Sequence, residues 1–234
     1  MEEWAEYCKQ IAAQAQLSFV RNNSIITIEN ESFEFVIRGI KVSDIAFSVH
    51  EDLWITRQDI LKSKIKSILG LNDVVYARDC TVRRIESSEA KLFLAFHHLH
   101  GATKSKLRFG LFEDGALLAV ATFAGTRMFG ESKSAELIRY CQYSGITIVG
   151  GLDKLLSAYI DDVKPNDIMT YVDLEWGSGD AFLKLGFEKI QKRDPITFCI
   201  DEQTYIRSIY NEAICNGYAL SNKGSLKLVR QVEL

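Results

Sequence analysis

The chain has 234 residues, with 28 Lys and Arg against 31 Asp and Glu, and 47% of it is apolar. This composition excludes a disordered or fibrous protein and one that wraps duplex nucleic acid through a large basic excess. The length allows one large domain or one and a half.

No apolar run approaches the ~20 residues that span a bilayer, and Met1-Glu2-Glu3-Trp4 lacks the start of a secretory signal. The expected location is therefore the cytoplasm, with no membrane partner. Cys8, Cys80, Cys141, Cys199 and Cys215 are an odd, scattered set without a C-x-x-C pair. That predicts buried thiols in place of a disulfide framework or a zinc site.

Trp4, Cys8, Ile11, Ala12 and Ala15 recur at helical spacing, so a short amphipathic helix opens the chain. Asn22-Asn23 predicts a turn, and the alternation of Ile26, Ile28 and then Phe33, Phe35, Ile37 predicts two strands closed by Gly39. A third strand is expected through Ile45, Phe47 and Val49. Thr56 and Asp59 resemble a capping box, which predicts a helix over 59–69 that stops at Gly70 and carries Lys62, Lys64 and Lys66 on its polar side. These elements make an α+β unit over residues 1–72.

Beyond it the pattern predicts a strand over 74–84, then a helix over 88–100 with Phe93 and Phe96 inward. Residues 107–112 and 116–123 flank Asp114-Gly115, a hairpin signal because both turn positions must tolerate positive φ. A strand over 135–142 follows, and Gly150-Gly151 opens a helix bearing Leu152, Leu155, Leu156 and Tyr159. A strand over 168–172, a short helix over 178–185 and a hairpin of 187–190 with 196–200 complete a core over 73–200. Residues 201–234 form an extension, with a helix expected over 204–214. The fold class is α/β, a mixed sheet with flanking helices on both faces beside the small α+β unit.

Several segments carry a family resemblance. Phe182-Leu183-Lys184-Leu185-Gly186-Phe187 resembles the Tyr-x-x-Leu-Gly-Phe ending of the GNAT N-acetyltransferase fold, and 149–156 sits where that family keeps its pyrophosphate loop. His98-Leu99-His100-Gly101, Gly150-Gly151-Leu152-Asp153-Lys154-Leu155 and Tyr171-Val172-Asp173-Leu174-Glu175-Trp176-Gly177 resemble a phage and mobile-element branch related to Mom-type acyltransferases. His50-Glu51-Asp52-Leu53-Trp54 and the helix after it look like the tail of a very-short-patch-repair-like nuclease. The resemblance implies an acyl-CoA-dependent N-acyltransferase that takes acetyl-CoA or another acyl-CoA as co-substrate. The other class is a non-catalytic module that associates with nucleic acid or protein.

Val149, Gly150, Gly151 and Lys154 are the expected cofactor-binding residues, because paired glycines allow close backbone approach and a helix N-terminus suits a pyrophosphate. The alternative is a tight strand-to-helix turn. Arg139 is the fifth candidate, facing either a phosphate or a neighbouring carboxylate. The loop departs from the family's Gln/Arg-x-x-Gly-x-Gly/Ala at Thr147 and Leu152, and Asp153 adds a carboxylate beside the anion site. Strand splay is expected at Gly150. For proton transfer the candidates are His98, Tyr171 and Asp173, with Phe182 standing where the family often has a tyrosine acid. The alternatives are a helix-capping His97, His98 and His100 cluster, or a three-histidine zinc site, and a structural turn at 173–176. The carboxylates Glu29, Glu31, Glu34, Asp44, Glu51 and Asp52 lack an Asp-x-Glu-x-Lys arrangement, so no nuclease metal site is expected.

Overall fold

A computed structural model describes residues 1–39, 43, 44 and 46–233. The first elements are α1 (Glu2–Gln14), β1 (Phe19–Asn22), β2 (Ile25–Ile28), β3 (Glu31–Val36), β4 (Phe47–His50) and α2 (Glu51–Ile68). They are followed by β5 (Asp73–Tyr76), a 3-10 turn (Ala77–Asp79), β6 (Thr81–Arg84), α3 (Ser87–His97), β7 (Leu107–Glu113) and β8 (Ala116–Phe123). Next come β9 (Arg127–Phe129), β10 (Ser132–Gln142), β11 (Ile146–Val149), α4 (Gly151–Val163) and β12 (Asp167–Asp173). The chain ends with α5 (Asp180–Leu183), β13 (Glu188–Arg193), β14 (Thr197–Asp201), β15 (Arg207–Ile209), β16 (Gly217–Ser221) and β17 (Ser225–Gln231). Two compact units result: 1–71 with 173–177 and 193–225, and 72–172 with 178–192 and 226–234.

In the first unit, β1 to β4 form a sheet in that order, antiparallel except for the parallel β3–β4 pair. Asn23 takes φ 54° at the expected turn. The apolar stripe of α1 buries Trp4, Cys8, Ile11 and Ala12, and the Trp4 ring lies 5.2 Å from Phe35. Of the expected third strand, Phe47 and Val49 lie on β4, while Ile45 is outside the described residues.

Thr56 does not cap a helix. Instead α2 begins at Glu51 and bends at Arg57 (φ −139°), one residue after the Thr56 hydroxyl donates to the Asp52 carbonyl at 2.7 Å. Such a back-bond to residue i−4 bends helices, and Glu51 and Asp52 suit the positive end of the one that forms.

Sequence reading also errs over residues 187–215. β13 joins the large sheet whereas β14 pairs with β15 and β16 in a separate one, so the expected hairpin is absent. Residues 204–214 are not helical: the Asp201 carboxylate accepts the N–H groups of Gln203 and Thr204, and the turn leads into β15. Cys199 and Cys215 form a disulfide, contrary to the expectation of free thiols, while Cys8, Cys80 and Cys141 are free and buried.

The second unit holds a mixed sheet in the order β13-β17-β12-β10-β8-β7-β6, with β9 folded against β10. Asp114 (φ 48°) and Gly115 (φ 83°) make the β7–β8 turn as expected. Where one strand was expected over 74–84, the 3-10 turn interrupts it, so β5 pairs with β11 and β6 with β7. The two faces carry different helices. On one, Leu155, Leu156 and Tyr159 of α4 pack on Ala119, Ala121, Phe123 and Leu137. On the other, Ala90, Phe93 and Leu94 of α3 pack on Val120 and Cys141. Phe96 points outward, 66% exposed, because α3 turns only one stripe to the sheet. This is the expected α/β mixed sheet with flanking helices.

Candidate functional site

Gly150 follows β11 and caps α4 with φ 77°, a conformation that glycine adopts without steric cost. No side chain caps this end. The first helical bond runs from the Lys154 N–H to the Gly150 carbonyl at 3.0 Å, leaving the amides of Gly151, Leu152 and Asp153 without intrahelical acceptors. Those donors and the helix dipole favour an anion.

Gly151 serves packing. A Cβ there would lie 2.8 Å from the Tyr140 hydroxyl and 3.0 Å from Ile148 Cγ2. That hydroxyl accepts from Gln142 Nε2 at 2.7 Å, and Gln142 Oε1 accepts the Ile148 N–H at 3.0 Å, so one side chain ties β10 to β11. Burial pushes the Tyr140 pKa well above its ordinary value, keeping the phenol neutral. Val149 is half-exposed. The Lys154 ammonium is taken up by the 3-10 turn, donating to the carbonyls of Ala77 (2.7 Å) and Cys80.

β10 and β12 pair in parallel from Ser134 with Asp167 to Leu137 with Thr170. A register shift in the β8 pairing between Leu137 and Arg139 marks a bulge at Ile138. The parallel pairing ends there, although β10 continues to Gln142 and β12 to Asp173. The strands therefore part at Leu137, earlier than the Gly150 position expected from sequence, because a bulge bends its strand and breaks the ladder.

Arg139 is paired with Thr122 of β8 and lies on the face that α3 covers, opposite the face that packs α4. Its Nη1 donates to the Ile138 carbonyl at 3.0 Å, its Nε is buried without a partner, and burial lowers its pKa. Tyr171 lines a cleft of about 400 Å³ with Arg127, Phe129, Glu136 and Lys227. His98 follows α3, and its Nδ1 accepts the His100 N–H at 3.1 Å, which places the proton of the neutral ring on Nε2. Asp173 belongs to the other unit, where its Oδ1 accepts the Glu175 N–H at 2.9 Å. Phe182 packs edge-on against Phe187, with centroids 5.3 Å apart. Among the described residues no three His, Cys, Asp or Glu side chains are grouped as a metal site requires.

Sequence reading missed the row formed with Arg139 by Arg108 and Thr122, since cross-strand neighbours depend on register. It also missed the partners of His50 and Asp52, which are Glu175 and Arg207. A lone threonine among apolar residues on β8 was the only local signal.

No protein-family model matches the chain, and no curated protein matches it. Solved structures to which the chain is similar include the N-acetylglutamate synthase of Neisseria gonorrhoeae complexed with coenzyme A and N-acetyl-glutamate, at 17% identity and a TM-score of 0.43 over 66% of this chain. This chain spans 35% of the length of that synthase. A GNAT family acetyltransferase from Elizabethkingia anophelis with acetyl-CoA bound is 11% identical, with a TM-score of 0.42 over 66% of this chain and 99% of its own. An acetyltransferase of Bacillus subtilis in complex with CoA is 13% identical, with a TM-score of 0.44 over 66% of this chain and 99% of its own.

Proposed function

We propose that the second unit is an acyl-CoA-dependent N-acyltransferase of GNAT type. The observation that carries this reading is the parting of the parallel strands β10 and β12 at Leu137, together with the uncapped, glycine-led N-terminus of α4. Backbone amides of Gly151, Leu152 and Asp153 hold the pyrophosphate of acetyl-CoA or another acyl-CoA, which supplies the activated acyl group. Gly150 and Val149 shape the approach to them. Lys154 braces the 3-10 turn beside α4 and contributes its charge at a distance.

In the transfer, the acceptor nitrogen forms a bond to the acyl carbon as the carbon–sulfur bond breaks. Tyr171 gives its phenolic proton to the departing thiolate, and the proton that the acceptor nitrogen loses passes through water to the Tyr171 phenolate, which restores the side chain. His98, a donor at Nε2 in its neutral form, orients the acceptor. Asp173 is assigned the turn at Glu175. The three sequence motifs support the phage and mobile-element branch. In the first unit, Asp52 is paired with Arg207 and Glu34 accepts the Ser43 N–H, which supports a scaffold role for that remnant.

The second reading is a binding module without chemistry, favoured by Phe182 and by the Asp153 carboxylate at the anion site. A nucleic-acid partner has less support: Lys62 donates to Gln58, and Lys64 lies over the Trp176 ring at 5.1 Å.

Calorimetry with acetyl-CoA and CoA tests the proposal. Saturable binding is expected, tightened about two- to fivefold in Asp153→Asn because a like charge leaves the helix opening. Tyr171→Phe should bind normally and turn over slowly. Absence of heat at millimolar ligand, with an unchanged Tm, overturns the acyl-CoA reading.

A further inference from the structure

A second cleft, of about 320 Å³, lies on the α3 face of the sheet and is lined by Ser87, Lys91, Lys104, Ser105, Arg108 and Thr122 among others. None of the described lining residues is acidic. Thr122 is 1% exposed, and its hydroxyl has no hydrogen-bond partner. A buried unpaired hydroxyl costs about 1–3 kcal/mol, so a threonine where the flanking β8 positions are apolar calls for a ligand.

The surroundings define what that ligand is. Thr122 sits between two arginines, paired directly with Arg108 on β7 and with Arg139 on β10. Opposite residues in antiparallel strands place their side chains on the same face, so the three form one row. The Arg108 Nε–H donates to Ser105 Oγ at 3.1 Å and an Nη2–H to the Ser105 carbonyl, which fixes the guanidinium plane and leaves Nη1 for another acceptor. Arg139 does not line the cleft; beside Thr122 in the row it is a second half-buried cation with an unpartnered Nε, and Glu136 is the carboxylate that acts on it. Lys91 and Lys104 add charge at the mouth. Ser87 begins α3, an 11-residue helix whose N-terminus has no side-chain cap, so first-turn amides are available there.

We infer that this cleft binds the phosphate group of a small phosphorylated molecule, held by Arg108 and the Thr122 hydroxyl, with Lys91, Lys104 and the α3 N-terminus completing the charge and Arg139 adding its field from the next position in the row. A guanidinium group, two lysines, a hydroxyl and helix amides around one small volume match a tetrahedral dianion, which offers more acceptor positions than a planar carboxylate. The inference is independent of acyl-CoA binding, because α4 and its pyrophosphate site lie on the other face of the sheet.

The test is an amide NMR titration of the full chain with inorganic phosphate at ionic strength held constant with sodium chloride. Saturable shifts are expected at Ser87, Lys91, Arg108 and Thr122, read separately from any at Gly150 to Asp153. Arg108→Gln should weaken phosphate about tenfold at the first group of amides, and Arg139→Gln, which removes only a neighbouring charge, by less. Thr122→Val keeps the shape of the side chain and removes the orphan hydroxyl. It should leave the Tm equal or higher while weakening phosphate about fivefold. Lys189→Gln, on β13, should change nothing. The inference is overturned if chloride alone reproduces the shifts, if acetate binds as tightly as phosphate, or if Thr122→Val binds phosphate like the parent. Failure of acetyl-CoA to bind leaves all of these outcomes readable.

Discussion

His50 and Glu175, 125 residues apart, meet through a 2.6 Å hydrogen bond from the imidazole Nε2 to the carboxylate Oε1, with both side chains at most 2% exposed. His50 also stands at the N-cap of α2, and two residues on Asp52 accepts a bidentate bond from Arg207. This polar core belongs to the first unit. Removing one member of such a pair leaves the other buried without a partner, whereas removing both leaves apolar surroundings. Glu175→Leu or His50→Leu alone should therefore cost about 3 kcal/mol in urea unfolding, and the double variant distinctly less than the sum of the two. Additive losses would show that the two residues act separately.

Gly151 makes a second prediction. Its missing Cβ leaves room for the Tyr140 hydroxyl, so Gly151→Ala should destabilise by about 1–3 kcal/mol through overpacking alone. Tyr140→Phe removes the atom that the new methyl group meets, and in that background the same substitution should cost clearly less. An equal cost in both backgrounds, measured by thermal unfolding, would place the strain elsewhere. Gly151 variants are thus poor reporters of ligand binding, and Asp153 is the better position for that purpose.

The patterns legible in sequence were those written over short distances. The α1 stripe, the Asp114-Gly115 hairpin and the α4 helix with its Leu155, Leu156 and Tyr159 face follow from local periodicity and turn chemistry. The glycine-led opening of α4 was legible too, because few other residues tolerate the Gly150 backbone. Elsewhere distant pairing decided the outcome. β13 and β14 look like a hairpin around Pro195, yet each finds partners later in the chain. The Ile138 bulge, which sets where β10 and β12 part, has no residue signature. Arg139 was recognised as a candidate, but its row with Arg108 and Thr122 depends on a register that only the assembled sheet defines.

His97 gives a pH prediction. Its Nδ1 accepts the Ser144 N–H at 3.2 Å, and its ring packs 4.6 Å from Phe93 and 4.4 Å from Tyr143. Burial lowers its pKa below the ordinary 6.5. The unfolded chain therefore takes up a proton at higher pH than the folded one does. Stability from this group is complete above about pH 6.5 and falls as the pH drops toward the lowered folded value. His97→Gln keeps an acceptor for Ser144 and has no proton to gain. The difference in unfolding free energy between parent and variant should shift in the variant's favour as the pH falls from 7 to 5. A difference that stays constant would remove His97 as the source.

The Cys199–Cys215 disulfide gives the last prediction. It closes a segment whose ends are 16 residues apart, and within that segment Ile206, Ile209 and Ile214 are 65%, 67% and 77% exposed. So little apolar burial leaves β15 held mainly by its pairing with β14, by the Arg207 bond to Asp52 and by the covalent link. A loop of this length is worth about 3 kcal/mol in restricted unfolded states. Reduction should accordingly speed amide exchange over 204–214 and lower the unfolding midpoint, while Cys199→Ser with Cys215→Ser should show the lower midpoint with no further response to reductant. Alkylation of the denatured chain provides the direct count. Three thiols, those of Cys8, Cys80 and Cys141, should react before reduction and five after it. Five reactive thiols in the unreduced protein would mean that β14 and the segment after β15 are joined by hydrogen bonds alone.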